Sequence, residues 1–196
     1  LKEFIGAELT QIQHLTAMCA NNVIGEALPP MIILNGLKNI PTELVPFVSR
    51  GQIWLASSMS GWETRDTFMF WSICFINWLS QYRLRLDTSI RNKPALLIMD
   101  GHTSRECPLA LYMMMRCNIN VLILPSHTSH IMQMFDVAIA SPLKLYFGKK
   151  FRRFIQDIDK DLPILPQLRQ FSVAAFVQSW SKACTIENAE AGARAT

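Results

Sequence analysis

The spacing of apolar positions divides the chain into helical and extended stretches. Phe68, Trp71, Phe75, Trp78 and Tyr82 recur at intervals of 3, 4, 3 and 4, which is one face of an α-helix. The spacing predicts a helix over 65–82, with Thr64 as its N-cap and Asp66 in its first turn. Five large apolar groups on one face describe a surface turned to a core. Upstream, HLTAMCA (14–20) alternates as a strand does, Asn21, Asn22 and Gly25 supply a turn, and PPMIILNG (29–36) reads as a second strand. The two form a hairpin with a loop of several residues. Pro41, Pro46 and Gly51 mark 37–51 as an irregular loop, and IWLASS (53–58) as a short strand after it.

From residue 94 the pattern changes. PALLIMD (94–100) is a continuous apolar run of strand length, the pattern of a strand buried on both faces. A helix over 106–117 (ECPLALYMMMRC) and a second apolar strand, NVLILP (120–125), follow. Strand, helix and strand at this spacing predict a right-handed βαβ unit with parallel strands. Ligand sites in such sheets lie beyond the carboxyl ends of strands, where Asp100 and the Pro125-Ser126-His127 segment fall. Ser141-Pro142 reads as a helix cap followed by proline at the first helical position. The helix after it keeps Leu143, Phe147, Phe151, Phe154 and Ile158 on one face. A linker over 161–168, a last amphipathic helix over about 170–186 and a fraying tail, ENAEAGARAT, complete the expectation.

Composition narrows the class. Half of the residues are hydrophobic and 17% are charged, which excludes a disordered chain and a coiled coil. The net charge of +4 is mild, but its distribution is uneven: Lys144, Lys149, Lys150, Arg152 and Arg153 fall within ten residues that hold no acid. Such a helix face is either simply solvated or a path for phosphates. The five cysteines (19, 74, 107, 117 and 184) show no C-x-x-C pair, which fits a reduced compartment better than a disulfide framework. The most apolar window, 68–79, is 12 residues. A bilayer span needs about 20, so no membrane association is expected.

Asp100 and Asp136 are the candidate chemistry. One ends a strand, and the other lies between the next strand and a helix. Two carboxylates converging there suit a hard divalent cation that keeps several waters. On spacing alone, capping or turn formation accounts for such aspartates more commonly. His102, His127 and His130 share the same two loops, as phosphate contacts or as hydrogen-bonded loop histidines. With Cys107 and Cys117 they match no zinc spacing. A Ser126–His127–Asp100 hydrolase lacks the G-x-S-x-G elbow.

Four segments, in order, resemble the DDE superfamily endonuclease domain of pogo and Tigger type transposases of the Tc1/mariner superfamily, a group that includes centromere protein B-like and jerky-like proteins. They are LTAMCANNVIGEALPPMIILNG, SSMSGWETRDTFMFW, LLIMDGHTSR and LPSHTSHIMQMFDVAIASPLK. The resemblance reaches to about residue 155. It implies an RNase H-like mixed α/β sheet flanked by helices, within 1–160, followed by the linker, helix and tail of 161–196. It also implies a three-acid centre that holds Mg²⁺ or Mn²⁺ and cuts and rejoins DNA, and with it a nuclear location, DNA as partner and room for a homodimer. Asp100 matches the second acid and Asp136 the third, with 35 residues between them. His102, His127, His130 and Gln133 match motif positions around the centre.

There are two departures. The first acid of the family belongs to a central strand well before the hairpin, and Glu3 and Glu8 lie too close to His14 to supply it. The expectation is therefore a fragment, or a truncated or decayed copy, that lacks one acid and the strand between 94–100 and 14–20. The two flanking strands would then pair directly or keep open edges, making the isolated chain marginally stable. Second, the family's Q-P-L-D reads Gln133-Met134-Phe135-Asp136, and Arg105 replaces a histidine. Beside a transposase core stand a non-catalytic DNA-binding module of the centromere protein B-like kind and a metal-dependent hydrolase of small phosphate esters.

Overall fold

The computed structural model describes residues 15–125, 133–159 and 161–196. The expected hairpin is present: β1 (Thr16–Met18) pairs antiparallel with β2 (Met31–Asn35). β3 (Trp54–Ser58) lies parallel on the other side of β2, after the irregular segment and a short helix α1 (Val45–Ser49). The central strand β2 alternates its allegiance. Met31 and Ile33 enter one core with Phe68, Trp71 and Phe75, while Ile32 enters another with Val173, Phe176 and Trp180. A strand with period-two side chains and helices on both faces buries every residue, which is why MII is wholly covered.

The aromatic stripe lies on α2 (Arg65–Leu84). Phe68, Trp71 and Phe75 are buried and stack in succession, with ring centroids 6.1 and 5.1 Å apart. Thr64 opens the helix with a reciprocal cap: its hydroxyl accepts from the Thr67 amide at 3.2 Å, and Thr67 Oγ1 accepts from the Thr64 amide at 2.8 Å. Thr64→Ala is expected to lower the unfolding free energy by about 1 kcal/mol, read as a shift of the urea midpoint at unchanged slope.

After the single turn α3 (Thr88–Arg91), β4 (Ala95–Met99), α4 (Pro108–Arg116) and β5 (Ile119–Ile123) form the expected unit, with parallel strands in register from Ala95–Ile119 to Met99–Ile123. Arg83, at the end of α2, fastens it by donating to the Cys117 and Asn118 carbonyls, both at 2.8 Å. The expectation that 94–100 is buried on both faces is corrected. One face packs on α2 and α4, but Leu96, Ile98 and Leu122 are 63%, 46% and 48% exposed. Among the described residues no helix covers that second face, because the helices Ala140–Gln156 and Ile164–Ala183 lie on the three-stranded sheet instead.

A π-helical stretch, Phe135–Ile139, runs straight into α5 (Ala140–Gln156), then come α6 (Ile164–Ala183) and α7 (Ile186–Ala195). Ser141-Pro142 therefore lies within a continuous helix and is not its start. Proline inside a helix removes one backbone bond, and here the wider π turn immediately precedes it. The last long helix begins at Ile164, directly after Pro163, so the linker is shorter than expected. Phe147 and Phe154 of α5 meet Phe176 and Phe171 of α6 at 6.1 and 5.5 Å, and Trp180 Nε1 donates to Leu28 O at 2.8 Å, tying α6 to the hairpin. The tail expected to fray is helix α7, capped by Thr185, whose hydroxyl accepts from the Asn188 amide. Its small residues Ala189 and Gly192 are buried, so it packs closely without large side chains.

The five cysteines are unpaired. Burial pushes the Cys184 thiol up to about 12, and burial with the neighbouring Cys184 pushes Cys19 higher still. Because the thiolate is the reactive form, iodoacetamide at pH 8 should label Cys184 roughly a thousandfold more slowly in the folded protein than in urea. Peptide mass spectrometry reads the ratio.

The strands form two sheets, β1-β2-β3 and β4-β5. Among the described residues β1 and β4 each have one edge without a strand partner, and both line a cavity of about 570 Å³. Ala17 to Ala20, Leu96 to Asp100, and Phe68 and Trp71 of α2 are in its wall.

Candidate active site

The same cavity holds both candidate acids. Asp100 follows the last residue of β4, where the ladder closes with the Leu124 amide donating to Met99 O at 2.8 Å. Asp136 sits in the π stretch, which α7 buttresses. A Cβ added at Gly192 would come within 2.6 Å of Met134 Cγ and 2.8 Å of Met134 O, so α7 approaches this turn as closely as a glycine allows. Asp100, Arg105, Gln133 and Asp136 all line the cavity.

Asp136 senses Asp100. Partial desolvation and then the Asp100 charge raise the Asp136 carboxyl above its ordinary range, against the charges of Lys144 and Arg105. Gln133 Oε1 is buried and has no hydrogen-bond partner among the described residues. Two carboxylates and an amide oxygen line one cavity, and oxygen donors of this kind suit Mg²⁺ or Mn²⁺ better than zinc. Among the described residues no three His, Cys, Asp or Glu side chains come together to hold a metal.

Two residues that sequence reasoning left without a role complete the geometry. Glu63, directly before the Thr64 cap, receives Arg105 Nε at 3.2 Å and Ser104 Oγ at 2.7 Å. Arg105 Nη1 also donates to Asp100 Oδ1. In the sequence Arg105 stands out by its departure from the histidine pattern, and a cation beside Asp100 calls for a second carboxylate. Glu63 carried no signal of its own. His102 lies in the same turn: its Nδ1 accepts from the Ser104 amide at 3.3 Å and lies 2.6 Å from Ser104 Oγ, whose hydroxyl donates to Glu63.

The remaining expected residues divide. His127 and His130 lie outside the described residues. Lys144, Lys149, Lys150, Arg152 and Arg153 are exposed on α5, the helix that leads away from Asp136. Lys144 is near enough to act on Asp136, Lys150 donates to Gln178 Oε1 at 2.7 Å, and Arg152 donates to Gly148 O at 3.0 Å.

A family model described as DDE superfamily endonuclease matches residues 12–189. The chain belongs to this family. DDE endonuclease domains generally work with divalent metals on DNA, and here the match runs from before β1 into the first turn of α7, with both acids inside it. The domain is also similar to a protein of Cochliobolus lunatus described as an MFS-type transporter, clz9, with 27% identity over 171 residues. That stretch is 87% of this chain and 18% of the fungal protein, so the chain spans less than a fifth of it. Among the described residues no helix is long and apolar enough to cross a membrane. No solved structure matches the chain.

Proposed function

We propose that this DDE endonuclease domain is the core of a DNA transposase of the pogo and Tigger kind, acting in the nucleus by metal-dependent strand cleavage and transfer. The observation that carries the reading is that Asp100, Asp136 and Gln133 line one cavity with β1 and β4, each of which keeps an open edge among the described residues. Asp100 and Asp136 would hold Mg²⁺ or Mn²⁺, with Gln133 Oε1 as a further oxygen. When bound, the cation supplies charge to the phosphate being attacked, first by water and then by a 3′-hydroxyl. Lys144 and the basic residues beyond it extend positive charge from the site along α5, as a path for the DNA backbone. In an RNase H-like arrangement the slot between β1 and β4 takes a further strand, and the third acid would arrive on it.

A second reading is a DNA-binding module that no longer cuts. It is favoured by the bond from Arg105 to Asp100 and by the absence of a third ligating acid among the described residues. Purified full-length protein separates the two. A transposase core nicks supercoiled plasmid when Mn²⁺ is added. Retention of DNA without nicking supports the module, and hydrolysis of small phosphate esters without either overturns both.

A further inference from the structure

Arg105 touches two acids at once. Its Nη1 donates to Asp100 Oδ1, while Nε and Nη2 lie 3.2 and 3.4 Å from the two oxygens of Glu63. Glu63 and Arg105 are 12% and 19% exposed, and Asp100, at the cavity, is 36% exposed. We propose that Arg105 is a resident counter-cation that a divalent ion must displace from Asp100, and that Glu63 retains the guanidinium once it lets go. The inference rests on the reading of Asp100 as a metal-binding carboxylate.

Three physical points carry it. A guanidinium stays charged at any working pH, so it cannot yield the site by losing a proton and has to move. A divalent cation on the same carboxylate would face it at close range, and like charges there repel strongly. Glu63 is the more enclosed acid and is already fixed by the Ser104 hydroxyl at 2.7 Å. Leaving it unpaired is costly, whereas Asp100, nearer solvent, is the partner more readily released. Two of the three Arg105 contacts survive the exchange, so the side chain pivots without detaching. Without metal the two acids are partly neutralised, and with metal the positive charge at Asp100 is replaced by a larger one.

Two substitutions should move metal affinity in opposite directions. Arg105→Gln removes the competitor and should tighten Mn²⁺ binding about tenfold. Glu63→Gln removes the acceptor, leaves Asp100 as the carboxylate paired with Arg105, and should weaken binding several-fold. A merely structural role for the network predicts weaker binding in both. The free Mn²⁺ signal in electron paramagnetic resonance, titrated with full-length protein, reads these affinities without reference to activity. Arg105→Gln binding that is unchanged or weaker overturns the proposal, and so does unchanged or tighter binding in Glu63→Gln. If Arg105→Gln fails to fold, Arg105→Met, which also removes the positive charge but keeps an apolar stem, takes its place with the same expected tightening. Asp100→Asn serves as reference. If it leaves Mn²⁺ affinity untouched, the metal-site reading itself falls. If it abolishes binding while Arg105→Gln has no effect, the displacement alone is refuted.

Discussion

Nicking of supercoiled DNA by the full-length protein with Mn²⁺ is expected to fall about a thousandfold or more when Asp136 or Asp100 is replaced by asparagine, a loss of roughly 4 kcal/mol of transition-state stabilisation. Asparagine keeps the shape and removes the negative charge, so the effect reports the charge. Stability should separate the two variants. Desolvation and the Asp100 charge disfavour ionised Asp136 in the folded state. Its carboxyl therefore titrates higher folded than unfolded, and stability drops as pH rises through the raised value. Asp136→Asn removes that penalty and should leave the protein at pH 7 as stable as before, or slightly more. Asp100→Asn breaks a partly solvated pair with Arg105 and should cost about 1 kcal/mol, less than a buried pair would. Urea unfolding reads both. Nicking that survives in both variants would show that the chemistry lies elsewhere.

Gly25→Ala is expected to lower the unfolding free energy by about 3 kcal/mol, from backbone strain and overpacking together. Gly25 has φ 81°, a left-handed conformation that L side chains adopt reluctantly. An added Cβ would lie 2.6 Å from the Thr185 carbonyl carbon and 2.7 Å from the Ile186 nitrogen. Both are backbone atoms at the junction of α6 and α7, so no side chain can turn aside. Gly36 is the control. Its φ of 61° is similar, yet an added Cβ meets nothing within 4 Å. Gly36→Ala should cost about 1 kcal/mol, the backbone part alone. Equal losses at the two positions would mean that the hairpin turn is not held against the α6–α7 junction.

What the residue pattern could convey was local. The Phe68–Trp71–Phe75 stripe and the Thr64 cap were legible because helix periodicity and capping act within one or two turns. Asp100 was placed by its strand, and Asp136 by the motif around it. The π turn was not legible: Ser141-Pro142 reads as a helix start unless the preceding five residues are known to be helical. Nor was α7, since ENAEAGARAT is polar and buries its surface through Ala189 and Gly192, which add contact by being small. The pairing of Glu63 with Arg105 joins positions 42 apart. No periodicity links them, and the contact exists because α2 packs against the turn Thr103–Arg105. The exposed face of β4 misled for a related reason: Leu96 and Ile98 announce burial, but nothing in their own segment says whether a cover is present.

The bond between Trp180 and Leu28 has a temporal consequence. It joins positions 152 apart. At ribosomal rates of roughly 5–20 residues per second, the hairpin waits roughly 8–30 s for its covering helix. β4, α4 and β5, by contrast, are complete between Ala95 and Ile123 and can associate with α2 as soon as they emerge. Ile32 and Ile53, fully covered in the finished molecule, stay wet throughout that interval. Chaperone dependence in the nascent chain should therefore centre on the first three strands and end when α6 arrives.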